Sequence, residues 1–299
     1  MEGRNFKIFL ILVFFSEWLL SSSNSFSFFV SASDSNSQTV RSKVNYTRLA
    51  LVGVGTAGTM AVIHVYQQHA WWSGQRGPFH IVNDWDYALN IDKVGHFYGA
   101  TLISNLFSSS LQWAGVEKKR AMIYGAMLGS IFGLYVEFED GFATDWGFSP
   151  GDAMGNILGA WYPVAQHYVP FLRNFNFKWS YIPTTQLKTG KKKIFIDDHE
   201  GQTMWLSISI SNFLPEKIEK FYPDFLNIAI GYGVRDLDGL GGGKREFYIA
   251  LDYNLEKLPG DGWFWNLIKK NLNYIHLPAP TLRLTPKVAF WGFFFSKKI

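Results

Sequence analysis

Polar residues at helical spacing recur in a chain that is otherwise poor in charge. Asp92 and His96 lie four positions apart, and Asp152 and Asn156 repeat that spacing further along the chain. On an α-helix such pairs share one face, about one turn apart. Ionisable groups within apolar helical segments are costly and usually mark a functional or structural site. These pairs are therefore the first candidates for chemistry.

A further pair of carboxylates ends a long uncharged run, at Glu137 and Asp140, three positions apart. If the three helix ends converge, one imidazole, several carboxylates and one amide meet. That combination suits either a divalent hard-metal site or an acid/base pair with shifted pKa values. The predicted catalytic residues, which are also the predicted metal ligands, are His96, Glu137, Asp140 and Asp152.

The alternative interpretation is a buried polar network that holds the helices together. Asp92 and Asp152 would then favour helix N-termini through the macrodipole. Zinc sites normally have more His or Cys ligands, and structural networks also collect titratable groups, so the network is slightly favoured. The predicted structural or binding residues are Asp92, Lys93, Ser149 and Asn156.

Ser149 lies in a GxSxG pattern, Gly147 to Gly151, which is typical of a nucleophile elbow. An elbow needs a strand before it, whereas this segment follows an acidic loop. Ser149 as N-cap, Pro150 at the first helical position and Asp152 three residues after the serine explain the pattern more simply. The sequence therefore predicts that Ser149 caps a helix.

Residues 49–66 contain Gly53-Val54-Gly55-Thr56-Ala57-Gly58, which matches the dinucleotide pattern GxGxxG. That fingerprint requires a following helix and strand, yet Trp71, Trp72 and Trp85 follow instead. Small residues in an almost uncharged run predict a transmembrane or tightly packed helix.

The composition points towards a membrane or its interface. Aromatic residues make up 18% of the chain and charged residues 17%, below the roughly 25% usual for soluble domains. The net charge is +4, but no basic run is interleaved with a nucleic-acid motif, so membrane lipid is the expected partner and nucleic acid is not. The sequence identifies no protein partner. Because there is no cysteine, disulfides, thiolate metal sites and a lipidated cysteine are excluded.

The N-terminal residues favour an export signal. Arg4 and Lys7 precede the apolar run 8–15, and Ala32 ends a small-residue cleavage motif. We therefore predict a signal peptide at 1–32, with an uncleaved anchor as the alternative, and a serine-rich flexible leader at 33–47.

The rest of the chain predicts an α+β protein: a membrane-associated helical bundle followed by a β-rich C-terminal domain. Residues 48–175 form the helical domain, 176–200 a linker and 201–299 the β-rich domain. The predicted helices cover 94–116, 121–136 and 153–172; the predicted strands cover 204–211, 226–234 and 247–255, and 263–272 is a predicted amphipathic helix. A sheet packed on the helices and a partial barrel wall inserted in the outer membrane are both open.

Residues 197–200 read Asp-Asp-His-Glu and follow a run of three lysines. Such a cluster could bind a metal ion, but no spaced partner accompanies it. A charged cluster of this kind is usually a solvated turn, which is the favoured interpretation.

The ordered motifs Asp92-Lys93-Val94-Gly95-His96-Phe97, Glu137 to Asp140, and Ser149-Pro150-Gly151-Asp152 with Asn156 and Gly159 resemble the YfiM-like family of bacterial envelope proteins. The resemblance covers about residues 80–170. The Asp-Lys-x-x-His and Asp-x-x-x-Asn-x-x-Gly patterns also look like those of VanZ-like membrane proteins. YfiM-like members are described as predicted periplasmic lipoproteins, so the resemblance implies a periplasmic or outer-membrane location but no established activity. This chain departs from the family in lacking the lipidation cysteine.

Two functions follow. The first is a non-enzymatic envelope protein with a structural or interaction role. The alternative is a metal-dependent or acid/base hydrolase or transferase that acts on a lipid or cell-wall precursor, with His96 as acid/base.

Overall fold

The computed structural model describes residues 44–74, 76–192, 194–239 and 241–292 of the 299-residue chain. The predicted signal peptide at 1–32 and most of the predicted leader lie outside these residues. The end of that leader is ordered, because the first helix begins at Tyr46 and is capped by the side chain of Asn45, which accepts a hydrogen bond from the Arg48 amide at 3.0 Å.

Four long helices form the first part of the described chain. They are α1 (Tyr46–Ala70), α2 (Ile91–Trp113), α3 (Lys118–Asp140) and α4 (Pro150–Tyr168). This confirms the helices expected around 94–116, 121–136 and 153–172. The GxGxxG pattern lies wholly inside α1, so the fingerprint's strand and loop do not form there.

Glycines allow α2, α3 and α4 to pack closely. A Cβ atom at Gly159 of α4 would lie 2.0 Å from the carbonyl oxygen of Phe97 in α2. At Gly125 of α3 it would lie 2.6 Å from the carbonyl oxygen of Ser104. Only glycine permits such backbone approach, and this approach brings the polar helix ends together.

By contrast, α1 is largely exposed. Val52 packs against Leu111 and Ala121, and the Tyr135 hydroxyl contacts His64, but most side chains of α1 are exposed. Two helices in the described residues are long and apolar enough to cross a membrane: Tyr46–His69, with 6% of its most apolar window buried, and Lys118–Asp140, with 39%. The second is therefore partly enclosed by its neighbours, whereas the first is not.

A left-handed turn leads into α2. Ala88, Leu89 and Asn90 have φ values of 47°, 55° and 72°, a conformation that costs non-glycine residues roughly 1–2 kcal/mol each. The Tyr232 hydroxyl donates to the Leu89 carbonyl at 2.5 Å. The side-chain amide of Asn90 donates to the Trp85 carbonyl, also at 2.5 Å. These contacts hold the turn where the helices meet the sheet.

The described residues after α4 form a six-stranded antiparallel sheet in sequence order, which confirms the α+β class. The strands are β1 (Phe175–Tyr181), β2 (Gln202–Ile208), β3 (Leu226–Arg235), β4 (Lys244–Tyr253), β5 (Thr281–Arg283) and β6 (Ala289–Trp291). Short helices α5 (Thr185–Lys188) and α6 (Glu216–Glu219) lie in the connections, and the expected helix at 263–272 forms as α7 (Trp263–Leu272).

The segment predicted as a linker, 176–200, contains most of β1 at its start, because residues 175–181 pair with β2 along its whole length. In β1 aromatic residues alternate with polar ones, which is the period of a strand. The proline and lysines later in the segment obscured that signal.

One face of the sheet is apolar across every strand. The register aligns Phe177, Leu206, Ile230, Ile249, Leu282 and Phe290. Near α2 this face is covered, since Met204 and Val234 pack in one cluster with Ile91 and Tyr98. Elsewhere it is open, and the Ile249 residue is 44% exposed. Phe247, Ile249, Leu251 and Tyr253 alternate along β4 and all lie on this outer face.

The opposite, inner face of the sheet is buried and mixed, because Trp205, Ala229, Tyr248 and Ala250 form an apolar cluster beside a polar network. Asp252 is fully buried and lies 2.8 Å from Lys178 Nζ and 2.9 Å from His276 Nδ1. Ser207 donates to Asp252 at 2.5 Å, and Asn227 donates to Ser207 at 2.9 Å. The buried face of the sheet therefore holds an ion-pair network as well as apolar side chains, whereas the outer face is apolar and, away from α2, exposed.

Candidate functional site

The ends of three helices converge on His96. Asp92, Lys93 and His96 lie in the first two turns of α2, and Glu137 lies in the last turn of α3. Asp152 and Asn156 lie at the start of α4, with Ser149 as its N-cap. We call these seven residues, together with Asp84, the His96 cluster.

The His96 imidazole has acidic or amide oxygens near both nitrogens. Nδ1 lies 3.5 Å from Oε1 of Glu137 and 3.3 Å from Oδ1 of Asn156. Nε2 lies 3.8 Å from Oδ1 of Asp92 and 3.8 Å from Oδ1 of Asp152. His96 thus connects all three helices, as the helical spacings predicted if the helix ends converged.

The Lys93 ammonium is the centre of the ion-pair network. Its Nζ lies 2.7 Å from Asp84, 3.2 Å from Asp92 and 3.0 Å from Asp152. Its side chain is only 9% exposed. Such a buried cation is tolerated only when carboxylates compensate it.

Asp84 is the member that sequence reasoning missed. It lies in the irregular segment before the left-handed turn, so no helical spacing relates it to Lys93. Its carboxylate also accepts a hydrogen bond from the Ser149 hydroxyl at 2.6 Å. No local pattern in the sequence could have found it.

Ser149 caps α4. Its hydroxyl oxygen accepts a hydrogen bond from the Asp152 amide at 3.1 Å, while its own amide donates to Glu137 at 3.4 Å. Its hydroxyl hydrogen is donated to Asp84 rather than to a histidine. This geometry confirms the N-cap interpretation over the nucleophile elbow.

Asp140 lies apart from the other predicted ligands. Its Oδ1 accepts a hydrogen bond from the Trp72 indole at 2.5 Å. In the described residues, the group of ligand atoms within 4.8 Å of one another comes from Asp92, His96 and Asp152. The structure thus brings Asp92, rather than Asp140, close to His96 and Asp152, while Glu137 approaches the other imidazole nitrogen.

Burial and mutual repulsion shift the pKa values of the cluster. Burial raises the pKa of Glu137 to about 8 and that of Asp152 to about 6. Burial also raises the pKa of Asp140 to about 6, against the indole hydrogen bond. Glu137 therefore keeps its proton to a higher pH than an ordinary glutamate does.

The charged partners act in the other direction on His96 and Asp92. Burial opposes protonation of His96, but the carboxylates of Asp92, Asp152 and Glu137 outweigh it and raise the pKa of the imidazole. Burial likewise opposes ionisation of Asp92, yet His96, His199 and Lys93 lower its pKa. An ionised Asp92, a cationic Lys93 and a readily protonated His96 thus lie together in one enclosed space.

Residues 197–200 do not form the solvated turn that their charge suggested. Asp198 is 3% exposed and His199 is 7% exposed. Asp198 accepts hydrogen bonds from the Thr184 hydroxyl at 2.5 Å and the Tyr181 hydroxyl at 3.0 Å. Asp197 accepts from the Trp71 indole at 2.9 Å. Most of these partners lie far away in the sequence. The charge pattern of the segment therefore could not predict that it is buried.

Residues 82–166 match the model of a family described as predicted periplasmic lipoprotein (DUF2279), whose function is unknown. The matched region contains the whole His96 cluster and ends before the sheet. No curated protein and no solved structure matches the chain. The match agrees with the predicted export to the bacterial cell envelope and periplasm.

Proposed function

We propose that this is a membrane-associated protein of the cell envelope in which the His96 cluster has a structural role. The observation that carries the proposal is the Lys93 ammonium, which contacts carboxylates before α2, on α2 and on α4. A catalytic lysine would need access to substrate, whereas this one is enclosed and fully compensated. The cluster fixes the relative positions of the helices, and the surfaces around it serve interaction.

A membrane partner is supported by α1. Its 25 residues would extend about 37 Å at 1.5 Å per residue, enough to cross a hydrocarbon core of about 30 Å. Leu51, Val54, Val62 and Val65 are all exposed on it. Water disfavours an apolar helix exposed on every side, so lipid acyl chains are the proposed surroundings of α1.

The resemblance to the YfiM-like family, and more distantly to VanZ-like membrane proteins, agrees with this placement. A periplasmic lipoprotein is held to its membrane by an acylated cysteine, and this sequence has none. We propose that α1 takes over that anchoring role. Lipid then becomes a partner through helix insertion rather than through a covalent acyl group.

Membrane association is tested by expressing the full chain and washing the membranes with alkaline carbonate. We expect the protein to stay in the pellet. A variant with Val54→Glu and Val62→Glu should be released, because each carboxylate would lie in the hydrocarbon. A control with Ile228→Glu on the sheet should stay. Release of the wild-type protein would contradict anchoring by α1.

The structural role is tested by His96→Ala and Asp152→Ala. Each substitution should lower the free energy of unfolding. Neither should remove an activity of the protein except by unfolding it. An activity that is lost in a variant of unchanged stability would contradict a purely structural cluster.

An alternative function, a metal-dependent or acid/base hydrolase or transferase acting on a lipid or cell-wall precursor, is favoured by one observation. Asp92, His96 and Asp152 offer three ligand atoms within 4.8 Å of one another, beside Glu137, whose raised pKa suits a general acid. Metal content and thermal stability of the purified protein with Zn²⁺, Mn²⁺ or chelator test it. Stabilisation that His96→Gln abolishes and Asp140→Asn retains would support this function; no bound metal and no stabilisation would count against its metal-dependent form.

A further inference from the structure

A cavity of about 260 Å³ lies beside the His96 cluster, at the junction of helices and sheet. The segment before α2 supplies Tyr87 and Ala88, the connection from β1 to β2 supplies residues 197–200, and the loop from β3 to β4 supplies Gly239 and Gly242. A water molecule occupies about 30 Å³ in the liquid. The cavity therefore has room for a ligand of several non-hydrogen atoms.

The lining of this cavity is acidic. The charged residues among the described lining are Asp197, Asp198, Glu200, Asp238 and Lys192. Asp198 is used internally by Thr184 and Tyr181. Asp197 is half-buried, accepts only the Trp71 indole, and lies in no ion pair with a described residue. An excess of carboxylates favours a cation over an anion in the cavity.

His199 is the independent sign of a ligand. It lines the cavity, it is 93% buried, and its imidazole forms no hydrogen bond with any described residue. Its ring only meets the edge of the Tyr87 ring, at 5.5 Å between centroids. Burial also lowers the pKa of His199, so the imidazole is neutral and able to accept a hydrogen bond.

The donor set argues against a metal ion in this cavity. In the described residues, His199 and Asp197 do not belong to a group of three ligand atoms within 4.8 Å. A protonated amine can be held by fewer groups than a metal ion, because each of its three N–H groups donates one hydrogen bond, to an imidazole nitrogen or to a carboxylate oxygen.

We propose that this cavity binds a small polar ligand that carries a protonated primary amine, with His199 and Asp197 as acceptors. The Tyr87 side chain forms one wall, and the glycines near β3 leave space for the ligand. This binding site is separate from the His96 cluster and does not depend on its role.

The test uses ethylammonium chloride as the probe and the ring signals of His199 in a heteronuclear NMR spectrum of the full chain. Signals are assigned with His199→Gln. Ethylammonium should shift them in a saturable way, whereas ethanol, which has a hydroxyl in place of the ammonium, and sodium chloride should not. No saturable shift, or an equal shift with ethanol, would overturn the proposal.

Two variants locate the binding. Asp197→Asn removes one carboxylate at nearly constant volume and should weaken ethylammonium binding about tenfold or more. Asp224→Asn is the matched control, because Asp224 is exposed at the opposite end of β3, and it should bind as the wild type does. If both variants bind equally, the cation is held by general surface charge and the proposed site is wrong.

Discussion

The Nζ atom of Lys93 lies 3.0 Å from Oδ1 of Asp152, and this contact joins α2 to α4. The same ammonium contacts Asp84 and Asp92, so three carboxylates depend on one buried cation. Removing it would leave them to repel one another in an enclosed space. The stability of the helical part therefore depends on the ion pair of Lys93 and Asp152, which are 59 positions apart in the chain.

Lys93→Met should destabilise the protein by about 3–5 kcal/mol, because it keeps the length of the side chain but leaves buried carboxylates uncompensated. The free energy of unfolding in denaturant measures the effect. Lys188→Met is the control, since Lys188 is exposed, and it should change stability by less than about 0.5 kcal/mol. A similar loss in both variants would mean that the network does not stabilise the helices.

Stability should fall as pH rises through the range of Glu137. Its pKa is raised from an ordinary value of 4.5 to about 8, so between these values the folded protein holds a proton that the unfolded chain releases. The contribution is complete below about 4.5 and lost as pH passes 8. His96, whose pKa is also raised, acts in the same direction, while Asp92, whose pKa is lowered, acts in the opposite one.

Glu137→Gln should therefore flatten the pH dependence of unfolding between pH 4.5 and 8. Denaturant unfolding at several pH values provides the measurement. Glu216→Gln, at an exposed glutamate, should reproduce the wild-type curve. An unchanged slope in Glu137→Gln would show that this carboxyl is ionised throughout.

Gly159→Ala should separate α4 from α2, because the new Cβ would lie 2.0 Å from the Phe97 carbonyl oxygen. We expect a loss of roughly 1–3 kcal/mol from overpacking. Gly99→Ala is the control within α2, since a Cβ there meets nothing within 4 Å, and helix propensity should stabilise it by up to about 1 kcal/mol. Thermal unfolding of the two variants should shift in opposite directions.

Asp252→Asn should destabilise the sheet strongly, because Lys178 would lose its buried carboxylate; the expected cost is about 3–5 kcal/mol. Asp261→Asn, at an exposed aspartate, should have almost no effect. Ile249→Thr on the outer face should also cost little in detergent, since that side chain is not in the core. A larger loss for Ile249→Thr than for Asp252→Asn would reverse the assignment of the two faces.

The sequence predicted the elements because local rules decide them. Uncharged runs gave the helices α2 to α4, Ser149 and Pro150 marked the start of α4, and alternation located β3 and β4. Helical spacing likewise placed Asp92 beside His96. Each of these features depends on residues within a turn or a strand of one another, so no tertiary information was needed.

Only the tertiary structure decided which side chains meet. Asp84 joins Lys93 through an irregular segment, Asp140 turns to Trp72 instead of His96, and the charged residues 197–200 are pulled inward by Thr184, Tyr181 and Trp71. Alternation put Phe247, Ile249 and Leu251 on one face of β4 but could not say that this face is outside. Periodicity relates residues to their own element, whereas burial depends on which other elements cover it.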